Sequence, residues 1–129
     1  MADYPKDLLY HPEHDWARLD PAHPDVATLG ITWYAQDSLG EVVFFDPPAV
    51  GTQVRQGEGY AEVESVKAVS DVIAPLSGEI VEVNDALGDA PEKINEDPYG
   101  DGWMVKVRCS DPSECDALLD ADAYAAQLD

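Results

Sequence analysis

Six short runs of β-branched, aromatic and alternating residues, each bounded by turn formers, leave this chain little choice of architecture. They are Val26-Ala27-Thr28-Leu29-Gly30-Ile31, Glu41-Val42-Val43-Phe44-Phe45, Gly59-Tyr60-Ala61-Glu62-Val63, Asp71-Val72-Ile73, Glu79-Ile80-Val81-Glu82-Val83 and Trp103-Met104-Val105-Lys106-Val107. Such side chains fit a pleated, half-buried surface, and closely spaced Gly, Pro, Asn, Asp and Ser end each run before it can become a long element. Six short strands imply a mostly β sandwich or barrel. Two stretches break the pattern. Thr32 to Leu39, followed by Gly40, predicts a short helix begun by a threonine cap and stopped by glycine. After Pro112, the apolar positions Leu118, Leu119, Tyr124, Ala125 and Leu128 recur at helical spacing and predict a C-terminal helix over about 113–128, with Ser113 as its cap. At 129 residues the chain 1–129 reads as one domain, with its β core over about 14–108.

Charge narrows the classes of function. Asp and Glu number 27 against 7 Lys and Arg, a net charge of −20, while 45% of the residues are hydrophobic. The apolar share suffices for a core, so the acidity belongs to a folded surface and not to a disordered tail. Nucleic acid and anionic membranes are disfavoured as partners, since both attract Lys and Arg. No uncharged stretch has the length of a bilayer span. Met1-Ala2-Asp3-Tyr4-Pro5-Lys6-Asp7 has neither the basic start and apolar run of a secretory signal nor the composition of a transit peptide, so a cytoplasmic location is expected. Cys109 and Cys115 form no C-x-x-C and no disulfide framework, and are read as reduced thiols.

The informative segment is Val63-Glu64-Ser65-Val66-Lys67-Ala68-Val69-Ser70-Asp71-Val72, which sets one of only four lysines between two predicted strands. There Lys67 belongs on a hairpin tip, its four-carbon stem holding the amine away from the backbone. Spacing alone favours a bland role, an exposed pair with Glu64 or Asp71 worth about 0 to 1 kcal/mol.

The surrounding sequence points elsewhere. Glu64-Ser65-Val66-Lys67-Ala68-Val69-Ser70-Asp71, with Ala74-Pro75-Leu76-Ser77-Gly78-Glu79 and Val81-Glu82-Val83-Asn84, resembles the lipoate-attachment segment of the glycine cleavage system H-protein family. The resemblance extends to His14-Asp15-Trp16, Gly30-Ile31-Thr32, Leu39-Gly40-Glu41-Val42-Val43-Phe44 and Ile94-Asn95-Glu96-Asp97-Pro98-Tyr99-Gly100-x-Gly102-Trp103-Met104, in order along nearly the whole chain. It implies a barrel-sandwich hybrid of the lipoyl and biotinyl carrier type, with short helices and a C-terminal helix. It also implies a carrier that is not itself an enzyme, with lipoic acid in amide linkage to Lys67. In the family the arm takes an aminomethyl group from a pyridoxal-phosphate glycine decarboxylase and presents it to a tetrahydrofolate-dependent aminomethyltransferase. A flavin (FAD) dihydrolipoyl dehydrogenase then reoxidises it. The cofactor carries the chemistry and the protein positions it.

By the same resemblance, Glu64 and Gly78 occupy positions read by the lipoate-attaching enzymes. Asp71 and Asp15 line the cleft that receives the loaded arm, Asp15 replacing the usual Glu, and Ser38 stands where many members have His. A monomer is expected. Two other readings share the sequence: a lipoate-relay donor with the same Lys67, and an acidic interaction module that carries no modification.

The remaining motifs have plainer explanations. His11-x-x-His14 is interrupted by Pro12 and is read as packing or hydrogen bonding beside Trp16, not as a metal site. Trp16, Trp33 and Trp103 are read as core aromatics. Asn95 to Gly102 lacks the order of a calcium loop, so no metal is expected. Asp20-Pro21-Ala22-His23-Pro24-Asp25 is read as an extended loop.

Overall fold

The computed structural model describes residues 4–128. Its strands are β1 (Leu9–His11), β2 (Asp15–Asp20), β3 (His23–Ile31), β4 (Val42–Asp46), β5 (Gln53–Val54), β6 (Gly59–Ser65), β7 (Val69–Ile73), β8 (Gly78–Val83) and β9 (Val105–Cys109). They form a six-stranded sheet in the order β1-β2-β3-β9-β8-β5 and a three-stranded sheet in the order β4-β6-β7, with every pairing antiparallel. Inward residues of both sheets, among them Leu29, Val107 and Ile80 from the larger and Phe45, Val63 and Val72 from the smaller, close one core. The mostly β sandwich is thus present, each strand burying one face.

The helix α1 (Trp33–Leu39) begins and ends where the sequence predicts. Thr32 Oγ1 accepts the Ala35 N–H at 3.2 Å, and Gly40, at φ +88°, turns the chain into β4. Two one-turn helices follow β8, α2 (Ala86–Asp89) and α3 (Lys93–Glu96).

The expected continuous helix over 113–128 is instead two helices with an extended link. A 3-10 helix spans Pro112–Ala117, capped by Asp111 and not by Ser113, because the Asp111 carboxylate accepts the Ser113 N–H. Leu118 is extended, and Leu119 exchanges both backbone hydrogen bonds with Tyr10 at 2.8 Å. Asp120 then caps α4 (Ala121–Gln127) through the Ala123 N–H at 2.8 Å. The bridge to Tyr10 competes with helix, and an Asp supplies a fresh start. The core also exceeds 14–108: Leu8, Tyr10, Trp16, Ala121 and Tyr124 form a second buried cluster, built largely by the two ends of the chain.

Smaller differences have local causes. The 20–25 stretch is a tight turn, Asp20 accepting the Ala22 N–H, and β3 resumes at His23. Trp103 and Met104 precede β9 and do not join it. Of the three tryptophans only Trp16 is fully buried.

Candidate functional site

The hairpin β6–β7 presents Lys67. Glu64 pairs with Val69, leaving Ser65 to Ala68 as the connection, and the backbone closes through Ser65 N–H to Ala68 O at 2.8 Å. Ser65 is buried, and its Oγ accepts the N–H groups of Lys67 at 3.2 Å and Ala68 at 3.1 Å. One small side chain therefore satisfies two turn amides and fixes the tip. Val66 N–H reaches Glu41 O at 3.3 Å and ties the tip to the start of β4.

Lys67 is exposed and makes none of the ion pairs found among the described residues, which removes the expected pair with Glu64 or Asp71. Its stem runs over Gly40, where a Cβ would stand 3.4 Å from Lys67 Cε. Asn95 holds that floor in place. Its Nδ2 donates to Gly40 O at 2.9 Å and its Oδ1 accepts the Val42 N–H at 2.8 Å, joining the end of α1 to β4.

Beside Lys67 lies a cavity of about 340 Å³. Ile31, Leu39, Val63 and Val72 give it an apolar lining, and Asp15 and Asp71 both open onto it. The two acids named from the sequence thus meet Lys67 at one cleft, although Asp15 lies 56 positions away from Asp71 along the chain. Ser38, Tyr34 and Glu13 complete the wall, and Glu13 is a cleft acid that the sequence reading missed.

The two acids differ. Asp71 is exposed on β7, whereas Asp15 is 2% exposed and its Oδ2 has no hydrogen-bond partner among the described residues. Burial pushes the Asp15 carboxyl well above the usual carboxylate range; the Ile73 N–H opposes this and Glu13 adds to it. Burial likewise lowers His14, against an upward pull from Glu13. Asp15 follows a tight loop in which His14 N–H bonds His11 O at 2.9 Å and His14 sits at φ +77°, the left-handed region. Its imidazole Nδ1 lies 2.8 Å from the Tyr124 hydroxyl, so the hydrogen-bonding role expected for His14 is the one it has.

Glu64 and Gly78 are placed apart. Glu64 is exposed on the outer face of the small sheet, paired with Phe44 on one side and Val69 on the other. Gly78 is buried on β8, where a Cβ would collide with Arg108 O and stand 2.6 Å from Val107 Cγ1. Close approach of β9 is sufficient reason for glycine there. Cys109 and Cys115 are free, and burial pushes both thiols up, Cys109 to about 11, which suits inert groups. Among the described residues no three His, Cys, Asp or Glu side chains converge as metal ligands, and no helix is long and apolar enough to cross a membrane.

Comparison with known proteins bears on this arrangement. Residues 8–129 match the family model described as Glycine cleavage H-protein. A glycine cleavage system H protein from Enterobacter sp. is 54% identical over 129 residues, covering 100% of this chain and 98% of the relative. One from Symbiobacterium thermophilum is 52% identical over 126 residues, covering 98% and 96%. The crystal structure of a glycine cleavage system H protein from Mycobacterium marinum superposes with a TM-score of 0.87 at 46% identity, over 96% of this chain and 98% of that one.

Proposed function

The chain belongs to the glycine cleavage H-protein family, and on that premise we propose that Lys67 is the residue that bears its lipoyl group. The family function is that of a non-catalytic lipoyl carrier, shuttling the aminomethyl group of glycine and then reducing equivalents within the glycine cleavage system. The observation that carries the assignment is a lysine that makes none of the ion pairs found among the described residues, held at a tip fixed by Ser65 beside a cleft with an apolar lining and the acids Glu13, Asp15 and Asp71. That lining fits a hydrocarbon arm bearing a cationic end.

When bound, the lipoyl group supplies a dithiolane on a long tether, the site of group transfer and of redox change. The protein's residues do the rest. Lys67 loses its charge on acylation and serves as a tether only. Ser65 fixes the direction in which that tether leaves. Asp71 offers an exposed carboxylate at the cleft mouth and Asp15 a buried one inside. A neighbouring ammonium favours the ionised form of Asp15, so a cationic arm end and the Asp15 charge stabilise each other. Glu64 marks the hairpin for the lipoate-attaching enzymes, and Gly78, in the larger sheet, lets β8 and β9 approach closely. The partners in this reading are the glycine decarboxylase, the aminomethyltransferase and dihydrolipoyl dehydrogenase, met by a cytoplasmic monomer as one domain 1–129.

Intact-mass measurement of protein purified from its own, lipoate-sufficient host tests the assignment. A lipoyl adduct that disappears in Lys67→Ala is the expected result, and unmodified wild-type protein overturns it. Glu64→Gln should fold normally and acquire the adduct more slowly.

A further inference from the structure

The C-terminal helix contributes no residue to the cleft lining but bonds the segments that build it. Tyr124, on α4, is completely buried, and its hydroxyl lies 2.8 Å from both His14 Nδ1 and Thr32 Oγ1. Those two partners begin the two segments that build the cleft wall opposite the hairpin. His14 immediately precedes Asp15, and Thr32 caps α1, which contributes Tyr34, Ser38 and Leu39. The segments are also joined by Thr32 N–H to His14 O at 3.1 Å.

The Tyr124 hydroxyl bonds both partners in either proton direction: Thr32 Oγ1, which also accepts the Ala35 N–H, donates to Tyr124 Oη while Tyr124 donates to His14 Nδ1, or His14 Nδ1–H donates to Tyr124 Oη while Tyr124 donates to Thr32 Oγ1. His14 needs such support, because a left-handed φ of +77° is unfavourable for a residue with a Cβ. The same stretch is pinned twice more from the C-terminal side, by the Tyr10–Leu119 backbone exchange at 2.8 Å and by Gln127 Nε2 donating to Pro12 O at 3.0 Å. Tyr124 also stacks on Tyr10 with ring centroids 4.8 Å apart, so its ring is held independently of its hydroxyl.

We propose that Tyr124 is a positioning residue for the arm cleft: its hydroxyl clamps the His14 turn to the start of α1 and so keeps Asp15 in the cleft wall. The inference rests on the reading of Asp15 as the cleft's receptor for a cationic group.

Methylammonium chloride titrated into the unmodified full chain, followed by amide NMR, tests it without the lipoyl arm. Tyr124→Phe keeps the stacked ring and removes only the hydroxyl. It should weaken methylammonium binding about fivefold, the equivalent of one hydrogen bond of about 1 kcal/mol, and speed amide exchange at Thr32. Ile80→Val, a core change in the larger sheet, should leave binding unchanged even where it lowers stability. In an Asp15→Asn background Tyr124→Phe should have no further effect on binding. Unaltered binding in Tyr124→Phe overturns the inference, as does an equal loss with and without Asp15. Full-strength binding in Asp15→Asn alone overturns the reading of Asp15 itself, a result distinguishable from either.

Discussion

Asp15→Asn isolates the energetic consequence of placing an acid inside this sandwich. Asp15 is 2% exposed, with Oδ2 unpartnered among the described residues, and burial holds its carboxyl well above the ordinary range. In the unfolded chain an Asp titrates near about 3.9. Between that value and the higher native one, the folded protein binds the extra proton, so stability falls as pH rises. Below the unfolded value Asp15 is protonated in both states and imposes no pH-dependent cost; above the native value the cost is complete and constant. Within the window the loss is about 1.4 kcal/mol per pH unit, and Asn does not titrate. The buried NH₂ of Asn adds an offset of about 1–3 kcal/mol for an unsatisfied donor, but that offset is independent of pH. Urea denaturation of wild type and variant from pH 4 to 8 should therefore give a stability difference that climbs in the variant's favour. Its slope should approach about 1.4 kcal/mol per pH unit, which moves the urea midpoint by about 0.5–1.4 M per pH unit for a small domain, and the pH at which the difference levels reads the native titration of Asp15. A flat difference, or one that moves in favour of wild type as pH rises, would refute the placement of Asp15 as a buried carboxyl.

Two further outcomes follow from the hairpin and its support. Gly78→Ala puts a methyl group against the Arg108 backbone, which has no rotamer by which to escape, and should cost about 1–3 kcal/mol in urea denaturation; undiminished stability would mean that β8 and β9 separate easily. Lipoylation of this variant at a temperature where it is still folded then measures any recognition of Gly78 apart from folding. Ser65→Ala removes the acceptor of the Lys67 and Ala68 amides, and should raise hydrogen exchange at Ala68 severalfold and slow lipoylation, while unchanged exchange would show that the tip is held by something else.

The strands read from β-branched runs are present because their inward residues are apolar, as at Val63 and Val72 in the small sheet. β2 escaped notice because it inverts the usual polarity: Asp15 is buried at 2% exposure, while Leu19 is 39% exposed. Asp15 lies in the wall of the cleft, whereas Leu19, at the other end of the strand, does not line it. β5, with two residues, and the one-turn helices α2 and α3 are too short for any periodicity to reveal. The C-terminal break was hidden for a different reason, since Leu119 leaves the helical path to bond a residue more than 100 positions earlier. Lys67 and Asp71 are named from the family resemblance, and they meet at one cleft because they sit on one local hairpin. The parts that Asn95 and Tyr124 play were not legible, because their side chains act on residues distant in sequence: Asn95 on Gly40 and Val42, Tyr124 on His14 and Thr32.

The outer face of the small sheet carries a row, Phe44 on β4, Glu64 on β6 and Val69 on β7, in which Phe44 is 50% and Val69 59% exposed. Val43 and Val66 extend this apolar surface to the tip. On the function proposed above, the hairpin has to keep such a surface uncovered between visits to partner enzymes, and an uncovered apolar sheet invites copies of the same chain to stick together. Two features oppose that. The ladder between β4 and β6 is broken by an irregularity between Val42 and Phe44, which spoils the flat edge that a second molecule would need. Mutual repulsion at a net charge of −20 works against such association. The acidity of this chain is thus a colloidal property, a condition under which an exposed apolar tip stays uncovered by copies of itself.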